Sequence, residues 1–76
     1  MKMTKTLARA IFCVTKAIEA SSCEITENDK YKFITFDYIF SADIALVIQI
    51  FKDCDVGFYS YSYIDDNYNL IITMKK

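Results

Sequence analysis

The segment Gly57-Phe-Tyr-Ser-Tyr-Ser-Tyr-Ile64 has the most regular pattern in this chain of 76 residues. Tyrosines alternate with small or apolar residues, and in a β-strand this period of two places Tyr59, Tyr61 and Tyr63 on one face. That face belongs either to the core or to a contact surface. The functional prediction depends on which, because no catalytic, metal-binding or phosphate-binding motif stands elsewhere in the chain.

The turn after this segment decides the direction of the tyrosines. A hairpin is predicted from strand 56–64 to strand 68–75, and the second strand alternates an apolar core face with a more polar one. A three-residue loop, Asp65-Asp66-Asn67, with Asn67 in the left-handed conformation, pairs Ile64 with Tyr68 and turns the tyrosines away from the core. A loop of two or four residues has the opposite result. We favour three residues, since the triplet suits that loop type and small serines would let a helix approach the sheet.

The remaining chain is predicted to form two helices and two further strands. Apolar residues recur at helical spacing from Thr4 to Ala20 and again from Ala42 to Cys54, where Ser41 is a suitable N-cap. The predicted strands are 23–27 and 31–40, joined by a turn at 28–30.

The resulting order, α-β-β-α-β-β, predicts a single small α+β domain over residues 1–76. Short turns between paired strands favour a two-layer sandwich, with two helices on one face of a four-stranded, largely antiparallel sheet. Moving the first strand of the ferredoxin-like order to the C-terminus gives the same plan, with 68–75 central and 23–27 and 58–64 at the edges.

Composition argues against several classes of function. The chain has no histidine, and its three cysteines are widely spaced, so we expect no metal, no cofactor and no catalytic site. Three unpaired cysteines are typical of a reducing compartment. The apolar run near the start is interrupted by Lys16 and Glu19, and no stretch approaches the ~20 residues of a spanning helix. We therefore predict a cytoplasmic protein that does not bind membranes.

Apolar residues are abundant, at 54% of the chain, and their excess predicts self-association. In the second helix Leu46 and Ile50 widen the apolar stripe beyond what one sheet requires, and they are the candidate contacts of a homodimer. The alternative dimer surface is the sheet face that the helices leave uncovered.

These features favour a non-enzymatic protein-binding module, which acts as an inhibitor, adaptor or accessory subunit. Abundant Lys, Ile, Asn, Tyr and Phe with little Gly is typical of A+T-rich genomes, including those of phages and mobile elements, and an acidic protein of this kind suits inhibition of a nucleic-acid-handling enzyme. The predicted partner-binding residues are Tyr59, Tyr61, Tyr63, Phe33, Ile71, Asp65 and Asp66.

The alternative is a single-stranded nucleic-acid-binding domain, in which aromatic rings on the sheet stack with bases. Its backbone contacts would be Lys30, Lys32, Lys75 and Lys76. The isoelectric point near 5.2 opposes this alternative, because phosphate attraction dominates such affinities, and neither of the familiar RNP sequences is present.

Overall fold

The computed structural model describes residues 5–18 and 22–76 as two helices and four strands in the predicted order. Helix α1 spans Lys5–Ile18 and α2 spans Ile44–Asp53, which follows a 3-10 turn at Ser41–Asp43. The strands are β1 Cys23–Glu27, β2 Tyr31–Phe36, β3 Ser60–Ile64 and β4 Asn69–Lys75. The α+β class is confirmed; positions 4, 19 and 20 of the predicted first helix lie outside the described residues.

The strands form one antiparallel sheet in the order β1-β2-β4-β3. Strands β2 and β4 are central, with Ile34 opposite Ile72, and β1 and β3 are the edges. This is the strand order predicted from the rearranged ferredoxin-like plan.

Both helices cover the same face of the sheet, which we call the covered face. Their buried residues pack with alternate residues of the central strands, and the ring of Phe51 on α2 meets Phe36 edge-on at 6.1 Å between centroids. The core residues are Leu7, Ala10, Val14, Ile34, Phe36, Ile39, Val47, Phe51, Val56, Leu70 and Ile72. Burial of this one cluster is the main source of the fold's stability.

The predicted three-residue loop is wrong. Ile64 pairs with Asn69, so four residues connect β3 to β4, and Tyr68 rather than Asn67 takes the left-handed conformation, with φ of 54°. Tyr68 is held outside the strand by its neighbours: its carbonyl accepts the N–H of Ile39 at 2.8 Å, and its ring lies 5.3 Å from that of Phe40. The longer loop reverses the faces of β3.

Two other predicted boundaries shift for local reasons. Strand β2 ends at Phe36 rather than Phe40, because Tyr38 has a φ of 60° that an extended strand does not allow. Ser41 does not cap the second helix, since it lies inside the 3-10 turn and the capping position before that turn is Phe40.

The end of α2 uses an aspartate where glycine is usual. Asp55 has a φ of 59°, its N–H donates to the carbonyl of Lys52, and the next N–H, from Val56, donates to that of Phe51. This pair of bonds is the Schellman arrangement. The chain's one glycine, Gly57, comes two residues later and does not have positive φ. Within residues 5–18 and 22–76, no helix combines the length and apolarity needed to cross a bilayer.

Candidate partner-binding surface

The second face of the sheet is covered by no helix or strand of the described chain, and we call it the open face. Register assigns its members, because residues directly opposite each other in an antiparallel pair share a face. Its members are Glu24, Thr26, Tyr31, Phe33, Thr35, Tyr59, Ser60, Ser62, Ile64, Asn69, Ile71, Thr73 and Lys75.

Three aromatic rings form a row on the open face. The Tyr31 ring lies 6.3 Å from that of Phe33 and 5.7 Å from that of Tyr59, and all three rings are tilted relative to their neighbours. The ammonium of Lys75 lies 4.6 Å from the centroid of the Tyr59 ring, within the range of a cation–π contact. Tyr59 is 57% exposed, whereas Phe33 is half-buried.

A β-bulge explains why Tyr59 joins this row. Ser60 pairs with Thr73, yet the N–H of Tyr59 also donates to the Thr73 carbonyl at 2.7 Å, so two residues of one strand oppose one residue of the next. The ring of Phe58 instead packs at 6.5 Å from Phe51 in the core. The bulge therefore separates Tyr59 from the other two tyrosines of the segment.

Tyr61 and Tyr63 lie on the covered side, so their predicted direction is wrong. Tyr61 is opposite Ile72 and Tyr63 is opposite Leu70, both of which are core residues. Because the four-residue loop shifts the register by one position, every side chain of β3 changes face.

The two tyrosines differ in their surroundings. Tyr63 is half-buried and its hydroxyl donates to the carbonyl of Ile39 at 2.5 Å. Burial, and then the nearby Asp65 and Tyr68, raise the pKa of the Tyr63 phenol above its usual value. Tyr61 remains exposed at the sheet edge, where it lines a shallow groove with Ile44, Ala45, Ile48, Gln49 and Lys52 of α2 and with Ser41.

The other predicted partner-binding residues divide between two places. Phe33 and Ile71 lie on the open face with Tyr59, as expected. Asp65 and Asp66 are exposed in the loop between β3 and β4, at the end of the sheet away from the aromatic row.

The proposed dimer contacts Leu46 and Ile50 belong to α2 and therefore lie on the opposite side of the sheet from the open face. Leu46 is exposed, but Ile50 is half-buried and packs against the core cluster. Their role in self-association stays a prediction.

A second exposed aromatic group is not apparent from the sequence. Tyr38, Phe40 and Tyr68 surround the end of the sheet, with exposures of 61%, 57% and 45%. Sequence periodicity predicts strands at all three positions, and the positive φ of Tyr38 and Tyr68, which is uncommon for such residues, leaves no signal in the sequence.

Potential metal ligands and cysteine thiols are the side chains to consider for reactivity. No group of three or more potential metal ligands is found among residues 5–18 and 22–76. Partial burial, together with the carboxylate of Asp37, raises the pKa of the Cys23 thiol to about 11, which makes it a poor nucleophile. The pKa of Cys54 shifts in the same direction, through burial and the adjacent Cys13.

Comparison with known proteins adds no assignment: no family model, no curated protein and no solved structure matches the chain.

Proposed function

We propose that this protein is a non-enzymatic protein-binding module and that the open face is its contact surface. The observation that supports this most directly is the uncovered row of Phe33, Tyr31 and Tyr59, which continues into Ile71 on the neighbouring strand. Aromatic side chains are enriched at protein interfaces because a large ring is buried with little loss of rotamer freedom.

The charge distribution of the open face suits a protein partner. Its central strands carry Tyr31, Phe33, Thr35, Ile71 and Thr73, and its charged residues are Glu24 on the edge strand β1 and Lys75 at the end of β4. Interfaces have this composition, with charged residues depleted at the centre and polar residues at the rim.

The size of the face is also suitable. Four strands spaced about 4.8 Å apart and about six residues long give a patch on the order of 400 Å². With the side chains at its rim, such a patch supplies much of the ~800 Å² that one partner contributes to a standard interface.

A small module of this kind acts by occupying a surface, as an inhibitor, adaptor or accessory subunit in the cytoplasm. Exposed carboxylates on Asp53, Asp55, Asp65 and Asp66 support the narrower proposal that the partner is a basic, nucleic-acid-handling enzyme, because they present negative charge around the domain. A phage or mobile-element origin, proposed from composition, fits such an inhibitor.

Photo-crosslinking tests this function because it captures a partner whose identity is still open. A benzophenone amino acid replaces Phe33 on the open face or, as the control, Phe12 on the outer side of α1, where the side chain is 60% exposed. We expect a discrete protein adduct from position 33 that position 12 does not give. The adduct's purified partner should bind the wild-type chain and lose binding to Phe33→Ser; equal adducts from both positions would contradict the proposal.

Single-stranded nucleic acid binding is the second candidate, and one observation favours it. The spacing Tyr31-x-Phe33-Ile34-x-Phe36 matches the aromatic and aliphatic positions of the RNP1 consensus, and β2 presents Tyr31 and Phe33 on an open sheet as that motif does. The consensus residues before and between these aromatics are not kept. Asp29 stands at the basic position, and Lys30 and Lys32 stand at the small-residue positions.

Fluorescence anisotropy with a labelled single-stranded oligonucleotide decides this second candidate. Base stacking on the row predicts that Tyr31→Ser and Phe33→Ser each weaken binding, by about 1–3 kcal/mol per lost ring, while Phe12→Ser does not. Binding that is absent at low salt, or unaffected by both changes, would eliminate the second candidate.

A further inference from the structure

We infer that two copies of this chain associate through the edge strand β3, so that their sheets join into one eight-stranded sheet. The pairing is antiparallel and is centred on Ser62. This goes beyond the proposed function, since it uses a different surface and leaves the open face of both copies free.

The first support is that β3 is an unprotected edge. It pairs with β4 on one side and with no strand of the described chain on the other, so part of its backbone N–H and C=O groups face outward. Natural edge strands are blocked against further pairing by charged residues, proline, a cover or a β-bulge. β3 reads Ser-Tyr-Ser-Tyr-Ile from 60 to 64 and contains no charged residue and no proline. The bulge of this strand lies at Tyr59, before the segment from Tyr61 to Tyr63 that would pair.

The other edge of the same sheet provides the contrast. Strand β1 carries Glu24 and Glu27 within five residues, and the Glu27 carboxylate is bound to the ammonium of Lys76 at 3.4 Å. A second β1 would bring these carboxylates toward their own copies. The two edges therefore differ in their suitability for self-pairing, and the protected one is β1.

The second support is that β3 is complementary to itself. With a twofold axis at Ser62, antiparallel pairing sets Tyr61 of each copy opposite Tyr63 of the other, and Ser60 opposite Ile64. Aromatic pairs directly across two strands are among the favourable cross-strand contacts. Such an interface is isologous and closes at two copies, so it does not continue into a fibre.

Charge at the ends of the joined strands is complementary as well. Asp65 directly follows the last residue of β3, so in this register the acidic loop of each copy comes near the end of the other copy's strand, where the Lys75 ammonium lies 4.6 Å from the centroid of the Tyr59 ring.

Helix α2 extends the contact on the covered side. Tyr61 of this edge strand lines a groove together with Ile44, Ala45 and Ile48 of α2. In the paired arrangement the second copy's tyrosines close this groove. A strand of five residues and an adjacent helix bury on the order of 500 Å² per copy, which is near the lower limit for a specific interface. We therefore expect a dimer that dissociates on dilution.

Sedimentation equilibrium over a wide concentration range, up to roughly 1 mM, tests the inference. The wild-type chain should change from monomer to dimer. Ser62→Lys and Ser62→Glu each place like charges opposite each other at the axis and should raise the dissociation constant roughly tenfold, whereas an equimolar mixture of the two variants should associate at least as tightly as wild type. That recovery also shows that both variants fold.

Thr26→Lys is the matched control, because Thr26 is exposed on the open face but belongs to β1. Edge pairing predicts no change in mass with this variant, whereas two copies stacked through their open faces would separate. A monomer at every concentration, no recovery in the mixture, or a Thr26→Lys variant that dissociates would overturn the inference. The molar masses in this experiment do not depend on the foreign partner. The sedimentation experiment and the crosslinking experiment at Phe33 therefore test the dimer and the proposed function independently.

Discussion

The two faces of the sheet are formed by the same strands but differ in how far their side chains are buried. In β4, Leu70 and Ile72 are fully buried, whereas Ile71 between them is only half-buried on the open face. Both helices pack on the covered face, while the open face leaves large side chains such as Tyr59 in contact with water. Hydrophobicity alone therefore does not identify the core of this chain; position on the pleat does.

The largest expected difference between the faces concerns neighbouring isoleucines. Ile72→Ala removes a side chain with no exposed surface and should lower the free energy of unfolding by about 2–5 kcal/mol. Ile71→Ala, one residue away on the open face, should cost about 1 kcal/mol. Urea denaturation monitored by circular dichroism measures both values, and equal losses would mean that the open face is covered in solution.

Cysteine reactivity gives the next sharpest contrast. Cys23 faces the covered side of β1, opposite Phe36, and its pKa of about 11 compares with an ordinary value of 9.0. Because thiolate is the reacting species, its alkylation at pH 8 should be roughly a hundredfold slower in the folded chain than in urea. Peptide mass spectrometry after timed iodoacetamide treatment measures this ratio.

The raised pKa of Cys23 also makes the stability of the folded chain depend on pH. A thiol whose pKa is raised by folding favours the folded state while it stays neutral, so its contribution is complete below pH about 9 and is lost as the pH rises toward 11. A Cys23→Ser variant should show a smaller loss of stability over this interval. An identical loss in both proteins would place the cause elsewhere.

A smaller effect distinguishes two tyrosines that the sequence predicts to be equivalent. Tyr63→Phe removes the donor to the Ile39 carbonyl and should cost about 1 kcal/mol of folding stability. Tyr59→Phe, on the exposed side of the bulge, should change stability by less than about 0.5 kcal/mol. Thermal unfolding of the two variants side by side compares them, and a larger cost at Tyr59 would reverse the face assignment.

The smallest expected effect is a gain. Asp55→Gly relieves the left-handed strain at the end of α2, where the chain turns to bury Val56 in the covered face, and should raise stability by about 0.5–1 kcal/mol. Asp53→Gly is the control, since Asp53 is still helical and the same change there should destabilise, by about 0.3 kcal/mol through helix propensity and further through loss of the acceptor for the Gln49 amide. Denaturant midpoints of both variants test the sign.

The elements whose side chains alternate without ambiguity could be predicted from the sequence. Strands β1 and β4, both helices, the sheet order and the positions of Phe33 and Ile71 all follow from periodicity and turn residues. The direction of Tyr61 and Tyr63 could not be predicted in this way, because it depends on whether the loop between β3 and β4 has three residues or four. Loop length in turn depends on Tyr68, which leaves its strand to contact Ile39 and Phe40, and that contact is long-range.

The bulge at Tyr59 could not be predicted from the sequence, for a related reason. Tyrosines at 59, 61 and 63 share one face of an uninterrupted strand, and no residue type in the segment marks the interruption. The bulge consists of two residues that oppose Thr73. It therefore depends on how two strands pair and not on the residues of one strand alone. Of the residues predicted to share this face, Tyr59, Phe33 and Ile71 lie on it, whereas Tyr61 and Tyr63 lie on the covered side.

The pairing of β2 with β4 also bears on how fast this chain folds. Strands β1 and β2, and likewise β3 and β4, are joined by short turns and form local hairpins, which assemble on the microsecond scale. The two hairpins meet only when Ile34 finds Ile72 across the intervening α2 and β3, a loop closure that costs entropy before any contact is made. We expect the pairing of β2 with β4 to limit the rate of folding. The contact between the two central strands, and not the formation of the turns, would then control the folding kinetics.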